Sequence, residues 1–188
     1  SLTVVNLSRN RLKSLPVTLF HHCKELSEID LSDNGLENLQ EEFLFLHSKS
    51  LTVVNLSRNR LESITPHLFA KVSLERLNLS HNALKQFADL TSLHFLCIDK
   101  TNLKSIDYSN NCLKTVISEL SYCHALKEIK LSNNSISHIS NKIFNLKGLE
   151  TLDMKWNNIT SIPDYVFSST VSTNMTLDLS HNQIEIVE

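Results

Sequence analysis

Leu51-Thr-Val-Val-Asn-Leu-Ser-Arg-Asn-Arg-Leu61 decides the reading of this chain. Its pattern is L-x-x-L-x-L-x-x-N-x-L, with valine standing for the second leucine. The pattern returns at Leu2, Leu26, Leu74, Leu103, Leu126 and Leu149, and in weaker form around Leu177. Ser1 to Leu12 copies Ser50 to Leu61 letter for letter. Self-similarity at a fixed period is the mark of a solenoid, in which each turn is one unit stacked on the next.

The physics of one turn comes from the residues. Leu51, Val54, Leu56 and Leu61 are expected to point inward, with a short strand over 54–56 whose alternation sends Asn55 to the opposite face. A single turn cannot bury its apolar side, so stacked turns share a parallel sheet and a continuous leucine core. Asn10, Asn34, Asn59, Asn82, Asn111, Asn134, Asn157 and Asn182 recur where the chain leaves the sheet. A carboxamide both donates and accepts, so these side chains are expected to bridge backbone groups between turns and to be scaffold. Phe20, Phe43, Phe69, Phe144 and Phe167, about ten residues further on, are expected to stack as a spine. Pro16 and Pro163 fall where extended chain loses nothing by lacking an N–H.

With these residues in view, the chain resembles a leucine-rich-repeat protein over essentially its whole length. The phenylalanine-bearing turn of roughly 24 residues is similar to the typical repeat of extracellular receptors, Toll-like receptor ectodomains among them. The resemblance implies an α/β solenoid over 1–188, a single horseshoe domain with about eight short parallel strands on its concave face. It implies a ligand-binding or protein-interaction ectodomain, of innate-immune or cell-adhesion type, at the cell surface or outside the cell. Its partners would be a protein ligand or co-receptor, or a second copy, with no cofactor and no enzymatic activity. A secreted recognition protein and a cytosolic scaffold docking a signalling enzyme are the alternatives. Extracellular members usually carry cysteine-rich caps, and neither is present, so the chain reads as an internal part of a longer array.

Composition excludes other classes. The 188 residues carry a net charge of −2, which gives no broad attraction to nucleic acid or anionic membrane. No apolar run reaches the roughly 18 residues of a membrane span. Two glycines and three prolines leave no flexible linker. One irregularity stands out: the pattern begins at both Leu93 and Leu103, too close together for two full turns. The Leu103 start is preferred, with 88–99 as an enlarged convex segment; a segment missing between the two starts is the other explanation.

Candidate chemistry is sparse. Cys23, Cys97, Cys112 and Cys123 form no C-x-x-C pair; they read as buried filler, or Cys97 and Cys123 as a disulfide between adjacent turns. His21-His22-Cys23 lacks a carboxylate or second cluster, so no metal site is assigned. Asp30, Asp107, Asp153 and Asp178 line the open face with Lys130 among them, spread over turns about 4.8 Å apart, and read as a solvated face. Asn-x-Ser/Thr sequons stand at Asn6, Asn55, Asn78, Asn133, Asn158 and Asn174. Three of them fall out of the repeat consensus; Asn158 does not and should be exposed, while Asn174 is expected half-buried. The serines after the strands, Ser57, Ser80, Ser109 and Ser132 among them, are read as outward. Only the seventh repeat departs from this default filling, with Lys155 and Trp156. Together with Asp153, His181 and Lys130 they are the candidate partner-binding residues.

Overall fold

Three alternating residues suffice for a strand when a neighbouring turn supplies the hydrogen bonds. The computed structural model describes residues 1–39, 44–65, 68–69, 72–85, 102–116, 118–167 and 174–187. Strands β1 (Val4–Asn6), β2 (Glu28–Asp30), β3 (Val53–Asn55), β4 (Arg76–Asn78), β5 (Ser105–Asp107), β6 (Glu128–Lys130) and β7 (Thr151–Asp153) succeed one another in a parallel sheet. The short β8 (Ser161–Ile162) lies outside it, and β9 (Thr176–Asp178) completes the eight strands. β10 (Ile186–Val187) pairs with β8. Sheet order is chain order, and Val5, Ile29, Val54, Leu77, Ile106, Ile129, Leu152 and Leu177 stand in one register.

The expected inward set holds: Leu51, Val54, Leu56 and Leu61 are all buried. The strand lies one residue earlier than the alternation suggests, at Val53–Asn55, because Asn55 already begins the turn; Leu56 N–H still donates to Asn78 O at 2.8 Å. The core is one cluster running from Leu15 to Val166. Tyr108 takes the leucine position of its turn and is buried, which pushes its phenol far up. Leu2 is 53% exposed, since β1 is the first strand of the sheet.

The spine differs from expectation in the second turn. Its ring is Phe45, stacked on Phe20 at 5.7 Å and on Phe69 at 5.9 Å between centroids. Phe43 lies outside the described residues. The interval from Asn34 to Asn59 is 25 residues against 24 from Asn10 to Asn34, so the ring sits eleven residues past the asparagine, not ten. The return path carries 3-10 turns, Ser118–Tyr122, Asn141–Asn145 and Asp164–Phe167, and no α-helix among the described residues. The helical part of the expected α/β class is therefore 3-10: the return path of so short a turn leaves little room for a longer helix. β4 pairs directly with β5, so Leu103 begins the turn that comes after Leu74. The enlarged segment 88–99 lies outside the described residues.

Candidate interaction surface

Each turn must satisfy the backbone groups that the strand leaves behind, and the asparagines do so. Leu36 N–H donates to Asn59 Oδ1 at 3.1 Å, while Asn59 Nδ2 donates to Leu31 O, Leu56 O and Ser57 O at 3.0, 3.0 and 3.2 Å. The pattern repeats from Asn34 to Asn182, each side chain tying its own turn to the one before. Asn10 bonds only within its own turn.

A second set of caps lies beyond the sequence expectations. Asp30, Asp107, Asp153 and Asp178 are more than the solvated face expected of them: each accepts the N–H two residues on, at 2.8 to 3.2 Å. Asn6, Asn55 and Asn78 do the same. These are Asx turns, and the sequence carries a signal for them: only Asn or Asp occupies that position in seven of the eight turns. Lys130 is the exception. Its ammonium pairs with Glu128 at 2.9 Å, which with the Ser105 hydroxyl holds the Glu128 carboxyl below the usual range. The serine expectation is corrected too: Ser57, Ser80, Ser109 and Ser132 are buried; the first three sit in Asx turns, and Ser132 is buried in the Lys130 turn without one.

The residue before each ladder asparagine is left-handed. Arg9, Asp33, Arg58, His81, Asn110, Asn133, Trp156 and His181 have φ between 53° and 57°. Asn and Asp tolerate this region; a bulky aromatic there is strained. Trp156 accepts that strain and is still 55% exposed. Its ring lies parallel on His181, with centroids 3.8 Å apart and 7° between planes. The alternative of a ring buried against Ile159 is not what forms. Lys155 pairs with Asp153 at 3.3 Å. Lys155 and Trp156 share a depression of about 320 Å³ with Asn110, Ser132 and Asn133.

The structure divides the candidate residues between two places. Lys130 lies in a different depression, of about 380 Å³ on the sheet's open face, with Glu28, Asp30, Arg76 and Asp107. Asn55 and Asn78 line it too and are half-buried. Asn6, Asn133 and Asn158 are exposed. Asn174 is exposed as well, not half-buried, in the turn just before the last strand of the sheet. Cys123 is buried and disulfide-bonded, while Cys23 and Cys112 are free. Cys97 lies outside the described residues. The His21 ring packs edge-on against His47 at 4.9 Å, and no group of three or more metal-ligating side chains occurs among the described residues.

A parallel sheet one strand per turn, an asparagine ladder and an open polar face define a repeat solenoid built for surface contacts. The Leucine rich repeat profile matches residues 1–48 and 49–103, and a BspA type Leucine rich repeat region matches 84–174. The chain belongs to the leucine-rich-repeat family. No curated protein matches it by sequence. Among solved structures, the glycosylated Toll–Spatzle complex of Drosophila matches with a TM-score of 0.89 and 28% identity, over 98% of this chain and 26% of that one. A second structure of the complex gives 0.86 and 28%, over 95% and 25%. The plant peptide hormone receptor RGFR1, in complex with RGF2, shares the fold at 0.78 and 22%, over 99% of this chain and 31% of its own. This chain thus spans about a quarter of the length of the Toll-complex chains it matches.

Proposed function

We propose that the chain is part of an extracellular recognition region of a receptor, innate-immune or adhesive, and that it binds a protein partner at the edge marked by Lys155 and Trp156. The observation that carries this reading is Trp156: the only tryptophan, strained at φ 56°, yet more than half exposed. A large ring held at a cost and left in water is understandable as a binding anchor, since Trp dominates hot spots. Asp153 and His181 hold Lys155 and Trp156 in place. Lys130 adds a charged contact on the open face, and the same edge could serve a second copy of the chain.

Replacing Trp156 by Asn, the residue its counterparts 110 and 133 carry, removes the ring and relieves the backbone. Affinity for a secreted protein ligand, measured by surface plasmon resonance, should fall by about 2 kcal/mol or more, with an unchanged or higher melting temperature. A variant that melts earlier but binds normally makes Trp156 a packing residue.

The compartment is tested separately. Intact mass of protein from its natural source should show a glycan at Asn158, and Asn133 and Asn6 are exposed enough to carry one. Sugar on Asn55 or Asn78 would fill the open-face depression and move partners to the flank. The disulfide reading pairs Cys97 with Cys123. A second reading, a cytosolic scaffold, is favoured by the free Cys23 and Cys112. Bare sequons at every position would make it the better one.

A further inference from the structure

The depression beside Trp156 has a chemistry more specific than a protein-binding edge, and its standing as a ligand site rests on reading that edge as a binding surface. Asn133, Trp156 and His181 occupy equivalent positions three residues past the ends of β6, β7 and β9, whose last residues Lys130, Asp153 and Asp178 are in register. Neighbouring parallel strands lie about 4.8 Å apart. The Trp156 and His181 rings are stacked at 3.8 Å and nearly parallel. The ring normal therefore runs along the row. One face is covered by His181, and the other looks back toward Asn133 across the depression they share.

The residues around that space are Trp156, Asn110, Asn133, Lys155 and the buried Ser132, which bring an aromatic ring, two carboxamides and an ammonium. The carboxamides are pre-set: Asn133 Nδ2 donates to Asn110 Oδ1 at 2.6 Å, and Asn110 Nδ2 lies 3.3 Å from His81 Nε2. Among the described residues Asn133 Oδ1 and its second N–H make no hydrogen bond, so an acceptor and a donor remain for a ligand. No carboxylate lines the space, so a cation finds no counter-charge. Its one ammonium, Lys155, is already held by Asp153, so an anion gains little. A purely apolar ligand would strand the amides.

We propose that this depression binds a neutral pyranose, whose C–H face lies on the open face of Trp156 and whose hydroxyls meet Asn110, Asn133 and Lys155. A pyranose combines one apolar flat side with a rim of hydroxyls that both donate and accept. The sugar has two sources. Asn133-Asn134-Ser135 is itself a sequon, so the first residue of a chain on Asn133 sits beside the ring; the other source is a separate glycan.

Trp156, as the only tryptophan, makes fluorescence a direct reporter. The probe is N,N′,N″-triacetylchitotriose at millimolar concentration, added to secreted protein and to Ser135→Ala, which removes the sequon and leaves Asn133 in place, with no protein partner present. If the sugar comes from elsewhere, Asn133 is unmodified by mass and wild-type emission shifts blue and saturates. If it is the protein's own, wild type is already blue-shifted relative to Ser135→Ala, and chitotriose restores the shift in that variant. In whichever form responds, adding Asn110→Gly, which suits the left-handed backbone, should raise half-saturation about fivefold, the loss of one hydrogen bond. Coincident emission of wild type and Ser135→Ala, with no response to chitotriose in either, overturns the sugar site. It leaves the protein-binding measurement on Trp156→Asn standing by itself.

Discussion

Leu56→Asp should leave no cooperative unfolding transition. Leu56 is 0% exposed and sits in the third turn, with leucines of neighbouring turns on either side. A carboxylate there has no buried partner, and an unpaired buried charge costs several kcal/mol even after relaxation. That is a large part of the roughly 5–15 kcal/mol by which domains are stable. In a solenoid the damage also spreads, because each turn is stabilised by its neighbours. The equivalent Leu7 on the first turn is only partly buried, so Leu7→Asp should weaken the protein and spare the transition. Urea titration followed by circular dichroism measures both. A cooperative Leu56→Asp transition with a midpoint near wild type would mean that the turns do not share one core.

Asn59→Ala should cost about 3–4 kcal/mol, since each backbone group left buried and unpaired costs about 1–3. The deletion strands Leu36 N–H and weakens the bonding of three carbonyls, Leu31 O, Leu56 O and Ser57 O. At roughly 2–4 °C per kcal/mol for a chain of this size, the melting temperature falls by about 10 °C. Asn10→Ala is the internal control. Asn10 is exposed and bonds only Leu7 O and Ser8 O within its own turn, so its loss from this chain should cost under about 1 kcal/mol. Calorimetry of the two variants decides it. Equal losses would show that the ladder acts within a turn and not between turns.

The contrast between those two asparagines also shows what is legible in the sequence. Period and residue type together fix the inward leucines and the ladder, because one repeated pattern is tested eight times over. The same repetition exposes Leu103 as the true start of the fifth turn. Phe45 stays hidden because a one-residue lengthening of the second turn shifts the spine without disturbing the pattern on either side. The buried serines are misassigned when strand alternation is carried past Asn55, where the chain has already turned. Asp107 and its counterparts look like free charge because an Asx turn involves only local bonds, which hydrophobic periodicity does not report. Trp156 is recognisable as unusual by composition alone; its backbone strain and its His181 partner come only from coordinates.

The left-handed row also sets a length scale. From Arg9 to Trp156 it crosses six strand spacings, about 29 Å at 4.8 Å each. That is close to the diameter of a small domain. A folded partner of that size reaches the arginines at one end and the aromatic pair at the other in a single docking pose. An extended peptide needs about nine residues to bridge the same distance. Shorter peptides must choose one end, so truncating a ligand would report which end holds it.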